Sequence, residues 1–476
     1  MNRKLVIFLF IQSAWISSIG QHQEQNAFEG RVIFDEERMQ HDSLCNVLHK
    51  LGTFEGHLRT FFMSTVNHQN YPDYYALGVG GGLGYYSPII KNFQVGMSGF
   101  IIYNTTSSHL GPRGSFGNRY ELALFDITNP DNHEDLDRLE NLYLRYYFTS
   151  HYKSFIQAGK FHINTPLINL QDSRMRPNLQ EGLWMELNDW KQIKLKAGWL
   201  WGTSPRSTIR WYNMGESVGI YPAGRAVNGK KAVYAGNVKS EGILVGNLNI
   251  KPVHNTDYQL WNYYVDNLFN LSLHKLEWKK KTTHNTWLAG FQYLWQKSLY
   301  QDTLAVEKQY ITENERSHVF SGRLGFINNR KRNEWSVNYT RITKHGRFLF
   351  PREWGTEALY TYNNRERNEG TGDVHAVMLE HIRYLDKGHR LSLRTLAGIY
   401  RMPSVDNARL NKYSMPSYYH LNAQARYKFN RFFHGLQTFV LYTYKDKLSS
   451  DIEEEPVYYH NKIDMHHLSI VMDYYF

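Results

Sequence analysis

Segment 163–179 carries the residues best suited to bind a charged solute. It places three charged side chains close together, Asp172, Arg174 and Arg176. An arginine stays protonated at physiological pH, and its planar guanidinium group offers a fork of donors that matches a carboxylate. We therefore predict that these residues contact small anionic solutes. The alternative is that their charges are solvated, or that they fix the segment through salt bridges to a neighbouring wall.

Segment 344–371 is a second candidate for the same chemistry, because it contains Arg352 and Glu353. A further set of basic residues lies in stretches where polar and apolar residues alternate: Arg145, Lys194, Lys196, Arg323, Arg394 and Arg426. If these stretches are strands, the alternation puts the charges on one face and the apolar side chains on the other. We predict that the six charges line a water-filled lumen, either as a solvated lining or in direct contact with a solute.

Catalytic and metal-binding patterns are weak by comparison. Residues 96–99 are one residue short of a hydrolase nucleophile elbow, and no serine can be assigned from the sequence to His57 or His109. His466 and His467 are adjacent, so a strand would point them to opposite faces. We expect no enzymatic activity, no cofactor and no metal site.

The elements that must position these residues are strands. In one example, Leu421, Ala423 and Ala425 alternate with Asn422 and Gln424. Because successive side chains of a strand point to opposite faces, this period of two gives each segment one apolar and one polar side. The pattern predicts eighteen strands, at 55–66, 75–87, 91–104, 139–149, 153–162, 180–188, 192–203, 239–250, 257–266, 269–279, 284–297, 316–327, 332–343, 372–384, 388–400, 417–429, 433–446 and 464–476.

The lengths of these strands and of their connections favour a membrane barrel. A tilted strand crosses a bilayer in about 9–11 residues, which suits most of the predicted segments. Short turns alternate with long connections, except near 267–268, and outer-membrane barrels have such short turns on the periplasmic side. We therefore predict an all-β fold in residues 55–476, a transmembrane antiparallel barrel of eighteen strands. Tandem soluble sandwiches are the alternative.

Composition excludes other classes of protein. Aromatic residues make up 15% of the chain, which is too many for a disordered protein. The mean hydropathy is −0.56, and the longest uncharged stretch, 92–112, is interrupted by glycines, so it does not suit a membrane-spanning helix.

The N-terminus predicts export. Arg3 and Lys4 precede an apolar run that ends in small residues suited to cleavage. We predict a signal peptide at 1–20 and a periplasmic leader at 21–54, in which Cys45 is the sole cysteine of the sequence. An exported, strand-rich chain is not expected to bind nucleic acid, although its formal net charge is +11.

The last predicted strand ends in Phe476, the final residue. A terminal phenylalanine on an alternating strand is similar to the assembly signal of bacterial outer-membrane barrels. We predict that the barrel-assembly machinery recognises Phe476. The barrel would then lie among outer-membrane lipid and lipopolysaccharide, as a monomer or a trimer.

Several motifs resemble those of the OprD family of outer-membrane porins. The first strand, Gly56-His57-Leu58-Arg59, and the glycine-rich strand that follows it are similar to the start of that family. The most specific match is the run Ala158-Gly159-Lys160, Thr165-Pro166-Leu167, Asp172-Ser173-Arg174-Met175-Arg176-Pro177 and Gly182. Later matches are Arg352-Glu353-Trp354-Gly355 and Arg365-Glu366-Arg367-Asn368-Glu369-Gly370.

This resemblance implies a water-filled barrel with an eyelet that inward-folded loops narrow and basic residues line. It also implies passive uptake of small solutes, usually carboxylates and sometimes sugars or peptides. The leader and the long loops depart from the family pattern, so no individual substrate is carried over. We expect an outer-membrane porin for small hydrophilic solutes with a preference for anions. The alternatives are a non-conducting adhesive or structural barrel and a barrel-borne hydrolase.

Overall fold

The computed structural model describes residues 51–68, 71–111, 118–149, 151–170, 174–448 and 461–476. The predicted signal peptide, Cys45 and Asp172 lie outside the described residues. Over the described residues the chain forms nineteen strands: β1 (Thr53–Asn67), β2 (Tyr74–Tyr86), β3 (Phe93–Ser107), β4 (Arg138–Tyr147), β5 (Phe155–Phe161), β6 (Leu179–Leu187), β7 (Ile193–Ser204), β8 (Tyr212–Asn213), β9 (Ile243–Ile250), β10 (Thr256–Val265), β11 (Phe269–Lys281), β12 (Asn285–Ser298), β13 (Arg316–Asn328), β14 (Asn333–Ile342), β15 (Val374–Tyr384), β16 (Leu391–Arg401), β17 (Tyr418–Lys428), β18 (Leu436–Lys447) and β19 (Met465–Tyr475).

The sheet closes on itself because β1 pairs antiparallel with both β2 and β19. At this seam the Gly56 N–H donates to the carbonyl of Phe476 at 2.8 Å, and the Phe476 N–H donates back at 3.0 Å. β8 has two residues and pairs only with β7, so the other eighteen strands form the barrel. A closed sheet leaves no unpaired edge, which is what a strand protein needs in lipid. The predicted eighteen-stranded barrel is confirmed.

The two faces of the barrel differ in polarity. On β14 the outward side chains are large and exposed, namely Trp335, Val337 and Tyr339. The inward side chains of the same strand are polar and buried: Glu334, Ser336, Asn338 and Thr340. Leu324 on the adjacent strand β13 also faces outward, with 71% of its surface exposed. An outer apolar band around a polar interior is the pattern of a barrel that sits in a membrane.

Aromatic residues gather on the outer face near both ends of the strands. Near the short turns, the rings of Trp287 and Phe326 are 5.8 Å apart. Near the opposite end, the Tyr339 hydroxyl lies 2.8 Å from Nδ1 of His375. Rings with a polar edge suit the boundary between hydrocarbon and headgroups, so these residues match the girdles of a membrane barrel.

Nine connections lie at the end opposite the short turns, and we number them in chain order. Their bounds are L1 68–73, L2 108–137, L3 162–178, L4 205–242, L5 266–268, L6 299–315, L7 343–373, L8 402–417 and L9 448–464. L5 is the short connection predicted near 267–268, and its Asn267 adopts a positive φ of 57°. L4 contains β8 and a single helical turn, Met214–Ser217, neither of which the sequence pattern predicted.

The core of the protein lies inside the barrel, where long loops pack against the wall. Phe348, Leu349 and Trp354 of L7 are buried in one hydrophobic cluster with Met214 of L4 and Leu167 of L3. No helix in the described part of the chain is long and apolar enough to cross a membrane. The buried loops therefore set the shape of the lumen.

Candidate functional site

L3 and L7 meet inside the barrel. The side-chain amide of Asn169 in L3 donates to the Thr356 carbonyl of L7 at 2.6 Å, and the Thr356 N–H donates back to Asn169 at 3.3 Å. Next to this pair, a Cβ atom on Gly355 would overlap the carbonyl oxygen of Leu167. A glycine is therefore needed where the two loops cross. The two segments with family-like motifs are thus in direct contact.

L7 continues from this crossing along the inner wall. The hydroxyl of Tyr360 donates to Glu277 of β11 at 2.6 Å. Further along, Arg365 donates to Ser469 of β19 at 3.0 Å. L7 therefore follows the inner wall from the strands in the middle of the sequence to the closing seam.

L3 is held to the same seam by Arg59, which is almost fully buried. Nε of Arg59 donates to Asp473 of β19 at 2.6 Å, and Nη1 donates to the carbonyl oxygens of Arg174 and Met175 at 3.0 and 3.1 Å. Gly78 of β2 leaves the space that the Met175 side chain occupies. One guanidinium group thus ties the first strand, the last strand and L3 together.

Four arginines from L3, L4 and L7 form a group that we call the eyelet cluster: Arg174, Arg206, Arg365 and Arg367. Burial lowers the pKa of Arg174 to about 9, and the charges of Arg365 and Arg367 lower it as well. Burial likewise lowers the pKa of Arg206 to about 9, with Arg367 and Arg174 contributing. Arg174 and Arg206 therefore remain cationic at neutral pH. Because like charges repel in a poorly solvated setting, the cluster favours an anion placed among them.

Tyrosines and two carboxylic acids, Glu121 and Glu357, adjoin the eyelet cluster, and Oε2 of Glu357 lies 3.8 Å from Nη1 of Arg367. The guanidinium carbon of Arg365 lies 5.1 Å from the centre of the Tyr120 ring. The buried hydroxyl of Tyr221 has no hydrogen-bond partner among the described residues. Glu121 is fully buried and accepts a hydrogen bond from Thr65 at 2.5 Å, and burial raises its pKa to about 7. The site therefore combines cations, aromatic faces and a hydroxyl donor.

Of the two arginines predicted in L3, only Arg174 belongs to the eyelet cluster. Arg176 is buried in an ion pair with Glu140 of β4, and its guanidinium carbon lies 4.1 Å from the centre of the Phe100 ring. Its Nη1 also lies 2.8 Å from Nδ1 of His57. This is the salt bridge to the wall that the sequence left open as an alternative.

Arg352 and Glu353 both bind L4. Nη2 of Arg352 donates to the carbonyl of Pro222 at 2.6 Å. Oε1 of Glu353 accepts the backbone N–H groups of Gly219 and Tyr221, each at 3.0 Å. These contacts position L4 and with it the Tyr221 side chain beside the eyelet cluster.

A second basic group, Arg119, Arg352 and Lys462, joins L2, L7 and L9. Burial lowers the pKa of Arg119 to about 10, and the charge of Arg352 lowers it further. Burial also lowers the pKa of Lys462, and the charges of Arg119 and Arg352 lower it further. The guanidinium carbon of Arg352 lies 5.9 Å from the Tyr221 ring centre, so this group adjoins the surroundings of the eyelet cluster.

The six basic residues predicted for the wall all lie on the inner face of their strands. Three of them meet carboxylates: Lys196 with Glu186 at 3.1 Å, Arg323 with Glu277 at 3.3 Å and Arg394 with Glu380 at 2.6 Å. The others are Lys194, Arg145, whose Nε donates to Gln157 at 3.0 Å, and Arg426, whose guanidinium carbon is 5.6 Å from the Phe439 ring centre. Acidic partners thus reduce the net charge of the wall, and Glu357, at 3.8 Å from Arg367, reduces that of the eyelet cluster.

Sequence reasoning did not select Arg206, Arg365, Arg367 or Arg59 as site residues. Arg365 and Arg367 lie in a segment that resembles the family, and this resemblance could have marked them as candidate site residues. Arg59 occupies an inward position of an alternating strand, which marks it only as a lumen residue. Nothing in the local sequence distinguishes Arg206 from other loop arginines.

Two residues that the sequence raised in connection with catalysis, His57 and Ser98, have partners on the neighbouring strands of the wall. No group of three or more His, Cys, Asp or Glu residues in this part of the chain could hold a metal ion. His57 lies against Asp473 at 2.9 Å. Ser98, within the segment that resembled a nucleophile elbow, accepts a hydrogen bond from Asn141 at 2.7 Å.

Comparisons with known proteins agree with this fold. Residues 144–367 match the model of a family described as outer membrane porin, OprD family. OccAB2 of Acinetobacter baumannii superposes with a TM-score of 0.67 at 13% identity, over 89% of this chain and 97% of that one. OpdK of Pseudomonas aeruginosa, solved with vanillate, has a TM-score of 0.64 at 12% identity, over 89% and 98% of the two chains. No curated protein matches the sequence significantly.

The family match covers L3, L4 and most of L7, the three loops that contribute the eyelet cluster. The structural matches extend the same fold over most of the chain. In outer-membrane barrels the short turns are periplasmic, so L1–L9 form the extracellular end. Residues 144–367 thus match the OprD family of outer-membrane porins, and the chain crosses the outer membrane as a closed β-barrel.

Proposed function

We propose that this porin admits small anionic solutes, chiefly carboxylates, by passive diffusion. The observation that carries the proposal is the eyelet cluster, in which three inward-folded loops bring four arginines together. Guanidinium groups suit carboxylates in both charge and shape. The related OpdK has been solved with vanillate, an aromatic carboxylate, and the tyrosines around the eyelet cluster would suit such a ring.

The remaining charges support a path rather than a single tight site. A solute would first meet the basic group of Arg119, Arg352 and Lys462, next the eyelet cluster, and then the inner wall. Conduction requires each station to bind weakly enough for the solute to leave. Arg323 and Arg394 are paired with carboxylates, so the wall would bind an anion more weakly than unpaired arginines would.

The test is the reversal potential of single channels in a planar bilayer under a salt gradient. Arg174→Gln, Arg206→Gln and Arg367→Gln each remove one positive charge from the eyelet cluster. We expect each to shift the reversal potential towards lower anion preference, and a double variant to shift it more. Lys344→Gln is the matched control, because Lys344 is an exposed residue at the start of L7. Unchanged reversal potentials in all cluster variants would contradict the proposal.

One observation favours a second candidate, a barrel that does not conduct. Arg174 and Arg206 expose only 7% and 5% of their surfaces, so the described loops leave little open space at the eyelet cluster. Liposome swelling with a panel of sugars, amino acids and organic acids separates the two functions. Swelling with small acids supports the porin, whereas no swelling with any solute supports an adhesive or structural barrel.

A further inference from the structure

Exposed basic residues are concentrated on one side of the periplasmic end. They belong to four neighbouring hairpins, which join β11 to β12, β13 to β14, β15 to β16 and β17 to β18. We call this set the basic belt: Lys280, Lys281, Arg330, Lys331, Arg383, Lys387, Lys428 and Arg431. The turns themselves are fully described and contain one carboxylate, Asp386, which pairs with Arg390 at 2.9 Å.

The periplasmic turns on the other side of the barrel are less charged. Against the eight basic residues of the basic belt, the turns after β2, β4, β6 and β9 and the strand ends beside them carry five exposed lysines: Lys91, Lys153, Lys191, Lys194 and Lys251. The turn after β6 also exposes an acidic residue, Asp189. The density of positive charge is therefore higher on the side formed by β11–β18.

Lys280 and Arg383 of the basic belt lie on the membrane face of their strands, whereas Lys281 and Lys428 lie at the rim on the inward face. Lys280 lies opposite Trp287 in the pairing of β11 with β12. Arg383 lies on the same face of β15 as His381, whose ring stacks on Trp335 at 3.9 Å. The aromatic girdle of a barrel marks the boundary between hydrocarbon and headgroups. Lys280 and Arg383 are therefore at the depth where lipid headgroups lie, and their long side chains can extend towards them.

Apolar side chains are exposed beside the same cations. Phe432 follows Arg431 and exposes 97% of its surface, and Phe433 exposes 59%. Leu385 is also exposed, next to the turn that carries Lys387. Apolar and aromatic groups mixed with cations match the interfacial layer of a membrane, whereas a soluble anionic polymer would give the exposed rings no partner.

We propose that the basic belt binds anionic phospholipid headgroups, of the phosphatidylglycerol type, in the periplasmic leaflet. Clusters of lysine and arginine at a membrane surface attract anionic lipid over a distance of about one Debye length. The one-sided belt would gather such lipids at β11–β18 and leave the rest of the perimeter without this preference. This inference does not depend on which solute crosses the barrel.

The experiment uses tryptophan fluorescence of the full-length mature protein in phosphatidylcholine vesicles. Trp278, Trp287 and Trp335 are exposed on the outer face beside the basic belt, so a brominated lipid at the belt quenches them. At equal mole fraction, we expect brominated phosphatidylglycerol to quench more strongly than brominated phosphatidylcholine. The difference should disappear in about 0.5 M salt, where the Debye length falls to only a few ångströms.

A belt variant and a matched control test whether the basic belt causes the preference for anionic lipid. The belt variant combines Lys280→Gln, Arg330→Gln, Lys331→Gln and Arg383→Gln. The control removes four exposed charges from the extracellular end: Lys231→Gln, Lys344→Gln, Arg401→Gln and Arg409→Gln. We expect the belt variant to lose the lipid preference and the control to keep it.

Equal quenching of the unmodified protein by the two brominated lipids would overturn the proposal, and this comparison needs no variant to fold. A belt variant that keeps the full preference would also overturn it. If quenching is equal and the unmodified protein instead binds isolated peptidoglycan, the belt recognises an anionic polymer and not a lipid.

Discussion

Arg174 and Arg176 stand two residues apart in L3 but have different electrostatic surroundings. Arg176 is neutralised by the buried carboxylate of Glu140, whereas the pKa of Arg174 is lowered by burial and by the nearby cations Arg365 and Arg367. A buried ion pair holds its charge in place and offers little of it to a solute. The same residue type is therefore a structural tie at one position and a candidate solute contact at the other.

Glu121 is the residue whose protonation should tune the eyelet cluster. Its pKa is raised to about 7 by burial, against the hydrogen bond from Thr65 and the charges of Arg365 and Arg174, which lower it. His467 lies 3.8 Å away. Below this pKa Glu121 is neutral, and above it the carboxylate cancels part of the positive charge of the cluster. We expect the anion-to-cation permeability ratio to fall as the pH rises through about 7.

Reversal potentials measured across this pH range check the prediction. Glu121→Gln should hold the ratio near its low-pH value throughout, while Glu134→Gln, at an exposed position of the same loop, should keep the pH dependence. The free energy of unfolding should fall over the same pH range. A carboxyl group whose pKa is raised in the folded state contributes stability at low pH, and this contribution is lost as the pH rises through the folded-state pKa. A Glu121→Gln variant that titrates like the unmodified protein would assign the effect to another group.

At the scale of elements, the lumen depends on how L3, L4 and L7 pack on one another. Segment 352–356 of L7 binds both neighbours: Glu353 holds the backbone of L4, and Thr356 pairs with Asn169 of L3. The Trp354 indole donates to Ser217 of L4 at 2.8 Å. These contacts join three loops that would otherwise be connected only through the barrel wall.

Gly355→Ala should loosen this junction. The added methyl group would overlap the carbonyl oxygen of Leu167, and overpacking of this kind costs about 1–3 kcal/mol. We expect a lower free energy of unfolding in detergent, measured by denaturant titration, and more open-channel current noise in single-channel records. Gly322→Ala is the control, because its Cβ would lie on the lipid face with no neighbour closer than 3.9 Å. Equal stability of the two variants would show that the crossing tolerates a side chain.

At the scale of the whole molecule, the barrel depends on the seam between its first and last strands. β1 and β19 pair from His57 with Tyr475 to Asn67 with Met465. The Phe476 ring covers Gly56, where a Cβ atom would overlap it. The end of the chain is therefore both the closing strand and an exposed aromatic at the periplasmic rim.

Phe476→Ala tests the predicted role of this residue in assembly. The substitution keeps the backbone pairing of β19 but removes the terminal ring, so recognition by the assembly machinery should fall more than the stability of the finished barrel. We expect less heat-modifiable, folded protein in outer-membrane fractions, and normal conductance from the fraction that folds. Phe432→Ala removes another exposed periplasmic ring and should leave the yield unchanged. Equal yields from the two variants would contradict the role of Phe476.

The sequence by itself determined the barrel, its strand number and the side of each strand that faces the lumen. This was possible because strand alternation is a local property: Trp335 and Ser336 take opposite faces whatever the rest of the chain does. The lipid outside then requires the apolar side of every strand to face outward. Arg323 and Arg394 could therefore be assigned to the inner face without a structure.

Only the tertiary structure decided which arginines form the eyelet cluster. L3, L4 and L7 have no periodicity, and their conformations come from contacts between distant residues, such as Asn169 with Thr356, 187 positions apart. Arg59 and Asp473, which anchor L3, are 414 positions apart. Whether a loop arginine meets a carboxylate or another arginine depends on such contacts, and local sequence carries no record of them.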